Sequence, residues 1–326
     1  MENSLELVCP AGTPDALKVA VDSGADAVYI GFSDGTNARN FAGLNFSYEE
    51  TKTAVKYAHK KGVKVYIAIN TYPTAGNVDL WKRAIDNVAS SGADTVILAD
   101  IGLLKYAAEK HPDLRRHLSV QASASNATAI RFYAEEFGVK RVVLPRVLTI
   151  EEITELDKEL DGIVETEVFA FGGVCPMAEG RCALSWHSTG HSPNQNGVCS
   201  PASFVKYTTD AGGVLTVKLG DYTLNKLGKG EAVGYPTTCK GRYLVGGEQK
   251  YLFEEPESLN AIDILPEFML AGVKAIKIEG RQRGKAYIKE VVSTFRKAID
   301  NVKVDTGNLS SISEGGKTTR GTYKGE

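Results

Sequence analysis

The sequence SGADAV at residues 23–28 recurs as SGADTV at residues 91–96, and this repeat is the main indication of the fold. Looser copies lie at residues 61–65, 137–142 and 271–276. In each copy a helical pattern ends at a glycine, which tolerates the left-handed conformation that terminates helices. A short run follows that is rich in Val and Ile or otherwise apolar, as is typical of buried parallel strands. The repeated unit is therefore a helix followed by a strand.

Extending this unit outward along the chain predicts eight strands that alternate with helices. Thr13 caps the first helix and Pro14 occupies its first position. Eight alternating strands favour a closed α/β fold, a (β/α)8 TIM-like barrel, and a doubly wound open sheet is the alternative. The predicted strands lie near Leu5–Cys9, Ala27–Ile30, Val63–Ile69, Thr95–Ala99, Leu118–Gln121, Arg141–Leu144, Thr166–Phe171 and Val273–Ile278.

The regular alternation breaks after strand seven, and four segments result. Residues 1–171 carry barrel strands one to seven, and residues 172–261 form an insert subdomain that carries four of the five cysteines. Residues 262–304 supply the last barrel unit. Residues 305–326, rich in Gly, Ser, Thr and Lys, are expected to be a flexible or partner-dependent tail. The insert leaves the barrel in a strand-to-helix loop, on the face where barrel active sites form.

Composition excludes several classes of protein. The chain has 326 residues, of which 43% are hydrophobic and 24% charged, as in ordinary globular proteins. Lys and Arg number 38 against 40 Asp and Glu, and the net charge of -2 implies no standing attraction to nucleic acids or membranes. Residues 1–17 have no signal-peptide pattern, and no apolar run is long enough to span a bilayer. We therefore expect a soluble, cytoplasmic protein in which cysteines serve metal binding or catalysis rather than disulfides.

Four cysteines in the insert follow the pattern C-x6-C-x16-C-x39-C, with members Cys175, Cys182, Cys199 and Cys239. Four thiolates suit either zinc or an iron–sulfur cluster. Structural zinc sites usually draw ligands from tight C-x2–4-C knuckles, and none is present here. The dispersed ligands favour a [4Fe–4S] cluster, although spacing alone does not decide, and four unlinked thiols are the alternative.

Three further residues have metal-ligating side chains. His187 and His191 lie between the second and third of these cysteines and would suit a mixed zinc or Rieske-like site. We favour the simpler interpretation that both are loop histidines. Cys9 ends the first predicted strand, where a small buried hydrophobic residue is expected rather than a fifth ligand or a nucleophile.

The run EVFAFGGVCPMAEGRCALS at residues 167–185 resembles the signature E-x-F-x-x-G-[SA]-[LM]-C-x4-G-x-C-x-[LIVM]-S of the collagenase-like peptidase family. Gly173 and Val174 depart from it, and neither supplies a ligand. Within the family, several segments are most similar to the ubiquinone-biosynthesis branch, the UbiU proteins. This likeness runs from Leu5 to about Ala298 and resumes at residues 313–315. It rests on NARNFAGLNF (37–46), QASA (121–124), VVLPR (142–146), YPTTCKGRYL (235–244) and KIEGRQR (277–283).

The resemblance implies a function and a cofactor. Proteins of this branch carry a [4Fe–4S] cluster on four cysteines, which fall on Cys175, Cys182, Cys199 and Cys239. They form a heterodimer with a paralogous subunit of the UbiV type. Together the two subunits hydroxylate the aromatic ring of ubiquinone precursors without O2, with prephenate implied as oxygen donor. The resemblance also leaves two alternatives, a peptidase and an RNA-base hydroxylase, because other relatives act on RNA bases and the family name denotes peptidases.

Polar residues at the predicted strand ends are candidates for the barrel mouth. Arg146 and Arg281 are suited to clamp carboxylates in bidentate fashion, and Glu279 or Asp100 to move protons. The alternative is that these charges pair with each other, since buried charges need partners. Further candidates at the mouth, or in a loop able to close over it, are Asn70, Gln121, Glu167, Asn37, Arg39 and Asn45.

Overall fold

The computed structural model describes residues 5–177, 182–231, 233–301 and 307–325. Its strands, in chain order, are β1 (Glu6–Pro10), β2 (Ala27–Gly31), β3 (Lys64–Ile69), β4 (Thr95–Leu98), β5 (Arg115–Leu118), β6 (Val139–Val143), β7 (Glu165–Gly173), β8 (Val205–Thr209), β9 (Leu215–Leu219), β10 (Tyr222–Leu227), β11 (Arg242–Val245), β12 (Glu248–Tyr251), β13 (Ser258–Asn260), β14 (Ala275–Ile278) and β15 (Thr318–Thr319). Its α-helices are α1 (Pro14–Asp22), α2 (Tyr48–Lys60), α3 (Asp79–Ser91), α4 (Ile101–Lys110), α5 (Ala127–Phe137), α6 (Ile150–Leu160), α7 (Ala183–Thr189), α8 (Pro193–Asn196), α9 (Leu265–Leu270), α10 (Lys285–Ile299) and α11 (Gly307–Ile312).

Strands β1 to β7 and β14 close into a parallel barrel. Each strand pairs with the next along the chain, and β14 pairs with both β1 and β7. At the closure Ile276 lies opposite Leu7 on one side and Val168 on the other. The predicted TIM-like barrel is therefore confirmed, and the open-sheet alternative is wrong because no edge remains between β1 and β7 among the described strands.

The glycines of the sequence repeat end their helices as predicted. All five adopt positive φ, at 101° for Gly24, 74° for Gly62, 82° for Gly92, 62° for Gly138 and 85° for Gly272. A residue with a Cβ would be strained in this conformation, so glycine fixes the point at which each helix gives way to a strand. The repeat thus marks where these helices end and the following barrel strands begin.

The fifth strand lies earlier than predicted. It spans Arg115–Leu118, whereas residues 120–122 form a 3-10 turn. The run Arg115, Arg116 and His117 does not resemble a buried strand, yet Arg116 and His117 are buried. Arg116 donates from Nε to the Phe137 carbonyl (2.8 Å) and from Nη1 to the Leu114 carbonyl (2.8 Å), which offsets the loss of its hydration.

The barrel encloses two kinds of interior. Alternate residues of the strands face the surrounding helices and form the main hydrophobic core, which includes Leu7 and Cys9. The opposite faces form a smaller apolar cluster, which includes Val8 and Tyr29. Buried charges share the barrel interior with this cluster.

Between β7 and β14 the chain adds elements that do not belong to the barrel. Helices α7 and α8 come first, and an antiparallel sheet of order β10-β9-β8 and the hairpin β11–β12 follow. Strand β13 then returns antiparallel to β7. The division of the chain into an insert and two barrel segments stays a prediction.

The described part of the tail lies on the barrel. Strand β15 pairs with β13, and the Tyr323 hydroxyl donates to the Phe169 carbonyl at 2.9 Å. The Tyr323 and Phe268 rings pack edge to face, 4.9 Å apart. Leu309 and Tyr323 are buried, so these parts of the tail pack against the barrel. The flexible or partner-dependent character of residues 305–326 stays a prediction. Residues 305 and 306, and Gly180 of the family signature, lie outside the described residues.

No helix among the described residues combines the length and the apolar character needed to cross a bilayer.

Candidate functional site

A pocket opens at the mouth of the barrel, where the carboxyl ends of the parallel strands meet. Strand-to-helix segments on this face are where barrel enzymes place their chemistry. The pocket is lined by aromatic, amide and charged side chains, among them Tyr29, Arg39, Asn70, Gln121, Arg146, Phe169, Lys277, Glu279 and Arg281.

Arg281 is a buried cation in this pocket. Its side chain is 4% exposed, and within the described residues its Nε and Nη1 have no hydrogen-bond partner. Its guanidinium lies over the Tyr29 ring, 5.6 Å from the centroid. Burial lowers the pKa of Arg281 to about 10, so the group remains charged at neutral pH. A buried guanidinium with open donors is suited to bind an anion.

Glycine at position 31 makes room for this guanidinium. A Cβ built on Gly31 would lie 2.7 Å from Arg281 Nη1 and 2.5 Å from the Asn37 side chain. Any larger residue would therefore push Arg281 or Asn37 out of place. The end of β2 is thus shaped around the arginine.

Glu279 is held between two arginines at the mouth. Arg39 Nη2 lies 2.7 Å from one carboxylate oxygen and Arg146 Nη1 lies 3.5 Å from the other. Burial alone would raise the pKa of Glu279, but Arg39 and Arg146 outweigh it and lower the pKa to about 2. Glu279 is therefore a carboxylate at neutral pH, and it orients the two arginines rather than donating a proton.

Contacts with Glu279, Gly173 and Phe169 help to fix Arg146. Besides Glu279, its Nη1 donates to the Gly173 carbonyl at 2.6 Å. Its guanidinium lies 4.4 Å from the centroid of the Phe169 ring. These contacts hold Arg146 between the barrel pocket and the segment that follows β7.

The four cysteines of the insert line one cavity. Cys175 follows β7, Cys182 begins α7, Cys199 follows α8, and Cys239 lies in a 3-10 turn. Arg39, Gln121 and Arg146 line both this cavity and the barrel pocket. The two spaces therefore share a wall.

The cysteine side chains differ in their surroundings. Cys182 Sγ accepts from the Ser185 backbone amide at 3.3 Å. Burial raises the pKa of Cys199 to about 12, an effect that the nearby Arg39 opposes. Metal binding deprotonates such thiols, so a positive neighbour favours the bound form.

Four cysteine thiols that line one cavity have the donor chemistry that an iron–sulfur cluster requires. No three His, Cys, Asp or Glu side chains in the described part of the chain are arranged to hold one metal ion.

The loop after β2 is held over the pocket by amides. Asn45 Nδ2 donates to the Arg39 carbonyl (2.9 Å), and Asn37 Nδ2 donates to the Phe32 carbonyl (2.6 Å). Asn70 accepts from the Ala38 amide through Oδ1 at 2.9 Å. These residues were candidates for ligand contact, and the structure gives them loop-positioning contacts.

Gln121 has a different position from these amides. It lines both cavities, and its Oε1 has no hydrogen-bond partner among the residues described here. An open acceptor in the shared wall is available to a ligand that can donate a hydrogen bond.

Two predicted mouth residues lie elsewhere. Asp100 caps α4, where its Oδ1 accepts from the Leu103 amide at 2.9 Å, and it does not line the pocket. Glu167 lies deeper in the barrel, 2.7 Å from Lys277 Nζ and 3.3 Å from Arg141 Nη1. Asp100 caps a helix, and Glu167 forms ion pairs inside the barrel. Neither contact can be predicted from the sequence of a single strand.

The remaining metal-ligand candidates lie outside the cysteine cavity. Cys9 is fully buried in the main core. His187 Nε2 shares a hydrogen bond of 2.7 Å with the Tyr222 hydroxyl, and the His191 ring packs against Phe204. None of the three lines the cavity. Cys9 is a core residue and His191 a loop residue, as predicted, whereas His187 lies in α7 and not in a loop.

Lys277 and Tyr29 also line the pocket, although neither was among the predicted mouth residues. Lys277 was recoverable in principle, because a lysine within the apolar run of a central barrel strand must find a buried partner. Tyr29 was not, because an aromatic residue in a strand is ordinarily part of the core.

Comparison with known protein families identifies the family to which the chain belongs. A model described as "Peptidase family U32" matches residues 12–319. The chain belongs to this family. The predicted membership in the collagenase-like peptidase family is thereby confirmed.

Curated relatives of this U32 chain carry two kinds of name. It is 33% identical over 304 residues to "tRNA hydroxylation protein P1" of Bacillus subtilis (strain 168), covering 93% of this chain and 65% of the relative. It is 30% identical over 328 residues to "tRNA hydroxylation protein P" of Escherichia coli (strain K12), covering 94% and 71%. It is 29% identical over 307 residues to "Collagenase" of Porphyromonas gingivalis (strain ATCC BAA-308 / W83), covering 91% and 66%. The chain spans about two thirds of the length of these relatives.

Proposed function

We propose that the protein is the iron–sulfur subunit of an O2-independent hydroxylase that acts on the aromatic ring of ubiquinone precursors. The observation that best supports a hydroxylase is a shared wall between the four-cysteine cavity and the cationic pocket. Arg39, Gln121 and Arg146 form this wall. A redox cofactor would there lie directly beside a bound anion. The ubiquinone precursor rests on the sequence resemblance to that branch of the family.

The cofactor in this proposal is a [4Fe–4S] cluster on Cys175, Cys182, Cys199 and Cys239. No protein side chain readily oxidises an aromatic C–H bond, so the one-electron chemistry must come from a cofactor. The chain's own part is to hold the cluster, to place the reactants and to exclude water from the barrel mouth.

The oxygen donor in this proposal is prephenate, which carries two carboxylates. Arg281 would bind one carboxylate through a charge-assisted hydrogen bond, because its Nε and Nη1 have no hydrogen-bond partner among the described residues. Arg146, held by Glu279 and Phe169, would face the second. Glu279 remains ionised and keeps Arg39 and Arg146 in place.

Hydroxylation of an RNA base is the second candidate, and the names of the tRNA hydroxylation relatives favour it. The net charge of -2 weighs against it, because RNA-binding proteins usually present a basic surface. A peptidase is less well supported. A cysteine peptidase needs a thiolate with a positioned histidine, whereas the side-chain contacts of His187 and His191 are with Tyr222 and Phe204.

The cluster is tested by anaerobic purification followed by iron, sulfide and EPR measurement. About four irons and four sulfides per chain are expected for a cluster of this type. Replacement of any of the four cysteines by Ala should lose or degrade the cluster. The matched variant Cys9→Ala should keep it, because Cys9 lies in the main core. Stoichiometric zinc without sulfide would refute the cluster.

The substrate is tested in a strain that lacks the gene, grown without O2. Accumulation of unhydroxylated quinone precursors with normal tRNA nucleosides is expected. Loss of a hydroxylated nucleoside with normal quinones would instead assign the RNA function. Complementation with the Cys199→Ala and Cys9→Ala genes connects either phenotype to the cysteine cavity.

The partner in this proposal is a paralogous subunit of the UbiV type. Anaerobic size-exclusion chromatography of the two chains together at micromolar concentration should give a heterodimer peak. Separate monomer peaks would refute the pairing.

A further inference from the structure

Lys277 lies at the floor of the barrel-mouth pocket and has no part in the proposal above. It is 5% exposed, and its Nζ lies 4.0 Å from the centroid of the Tyr29 ring. Arg281 lies over the same ring, 5.6 Å from the centroid. Lys277, Arg281 and Tyr29 also line the same pocket, so one ligand there can contact both the amine and the guanidinium.

The surroundings of Lys277 shift its titration. Burial lowers the pKa of Lys277, Glu167 opposes that shift, and the nearby Arg141 and Arg281 add to it. A lowered pKa leaves a larger fraction of the amine with the free lone pair that attacks a carbonyl carbon.

Glu167 does not depend on Lys277 to balance its charge. Its Oε1 lies 2.7 Å from Lys277 Nζ, and its Oε2 lies 3.3 Å from Arg141 Nη1. When Lys277 is neutral, Arg141 still compensates the carboxylate. Glu167 Oε1 therefore lies within hydrogen-bond distance of the reacting nitrogen, the position that a group relaying its protons must occupy.

We propose that Lys277 forms an imine with the ketone of a 2-oxo acid whose carboxylate binds Arg281. In such an acid the carboxylate is bonded directly to the ketone carbon, so one molecule presents both groups to two neighbouring cations. The inference deepens the proposed function and rests on it for the identity of the donor, since prephenate is itself a 2-oxo acid.

The reaction needs no oxidant or reductant. The Nζ lone pair attacks the carbonyl carbon and forms a C–N bond, while the electrons of the C=O π bond move to the oxygen. Glu167 carries one proton from the nitrogen to that oxygen, which gives the hydroxyl of a carbinolamine. Glu167 then carries the second amine proton from the nitrogen to the hydroxyl, which leaves as water as the C=N bond forms. Ketone and amine thus give imine and one molecule of water.

Reductive trapping tests the imine directly. The full chain is incubated with phenylpyruvate and sodium cyanoborohydride, which converts an imine into a stable secondary amine, and the adduct is mapped by peptide mass spectrometry. One adduct per chain at Lys277 is expected. Phenyllactate, which has a hydroxyl in place of the ketone, should give no adduct and should compete with phenylpyruvate.

Two lysine variants make the test specific. Lys277→Arg keeps the positive charge beside Glu167 but cannot form an imine, so labelling should fall more than about tenfold. Lys240→Arg changes the other lysine that is buried among the described residues, which pairs with Glu314 at 2.5 Å, and should leave labelling unchanged. Circular dichroism of each variant establishes that it is folded.

Arg281→Met supplies the second arm. It should weaken labelling by phenylpyruvate by about tenfold or more while leaving Lys277 as the labelled residue, because it removes only the carboxylate contact. Equal labelling of wild type and Lys277→Arg, or adducts spread over surface lysines, would overturn the proposal. So would the absence of any adduct on the folded wild-type chain.

The outcome is separable from that of the proposed function. Trapping requires neither the cluster nor the partner subunit. An adduct on a chain that binds no iron refutes the hydroxylase and supports the imine, whereas an intact cluster without an adduct refutes only the imine.

Discussion

The barrel contains two charged regions, and they differ in how their charges are paired. At the base, a network that we call the basal network joins Arg141 to three carboxylates. Its Nη1 lies 2.6 Å from Glu6 and 3.3 Å from Glu167, and its Nη2 lies 2.8 Å from Glu165. At the mouth, Arg39 and Arg146 share Glu279, whereas Arg281 has no carboxylate partner within the described residues.

The difference separates structural charges from ligand-binding charges. A buried ion pair that is complete contributes to the fold, and loss of one partner leaves the other charge buried and uncompensated. A buried cation without a protein partner destabilises the empty protein and gains its compensation from a bound anion. The basal network therefore maintains the barrel, and the mouth is arranged for a ligand.

The largest effect is expected from Arg141→Met in the basal network. It removes the Arg141 partner of the fully buried Glu167 and of the largely buried Glu6, and should lower the free energy of unfolding by about 3–5 kcal/mol. Urea denaturation measures it. The matched variant Arg281→Met removes the same chemical group at the mouth and should change stability by less than about 1 kcal/mol. Equal losses in both variants would erase the distinction between the two regions.

A smaller effect is expected from acid. Burial alone would raise the pKa of Glu6, but Arg141, Tyr66 and Lys64 lower it to about 2 from an ordinary 4.5. The unfolded chain therefore binds the proton first as the pH falls. Stability is fully present above about pH 4.5 and is lost between about pH 4.5 and 2, by up to about 3 kcal/mol from this group.

The variant Glu6→Gln isolates that contribution. Its free energy of unfolding should start lower at pH 7 and fall less steeply than that of the wild type between about pH 4.5 and 2. Urea titrations at a series of pH values measure both slopes. Parallel profiles would show that the basal network does not hold Glu6 ionised.

At the mouth, Arg281→Lys should affect activity rather than stability. Lysine keeps the charge but loses the planar fork that matches a carboxylate, so O2-independent quinone formation should fall about tenfold or more. Cluster content and the free energy of unfolding should stay at wild-type values. Arg146→Lys should behave similarly, because Arg146 faces the same pocket. Full anaerobic complementation by both variants would contradict a carboxylate clamp.

The smallest effect is expected where the tail supports the mouth. Tyr323→Phe removes the hydrogen bond to the Phe169 carbonyl but keeps the ring contact with Phe268. Stability should fall by about 1 kcal/mol, with no change in activity. Thermal denaturation measures the stability change. A loss of activity would show that the tail positions Phe169 beneath Arg146.

The barrel and the set of metal-ligand candidates could be predicted from the amino-acid sequence alone. The repeated glycines mark the ends of helices, and the runs after them mark strands, because helix termination and strand burial depend on residues that are neighbours in the chain. The same local logic identified four cysteines in one segment. Strand five was misplaced because Arg115, Arg116 and His117 have no apolar pattern of their own.

Which charged side chains contact one another depends on the tertiary structure. Closure of β14 against β1 and β7 brings Lys277 to Glu167 and leaves Arg281 beside Tyr29, although these residues are far apart in the chain. Asp100 was predicted to lie at the barrel mouth because it is a polar residue at a strand end, but its side chain caps α4. The pairing of a charge depends on which strands lie opposite one another after the barrel closes, and a single strand's sequence does not contain that information.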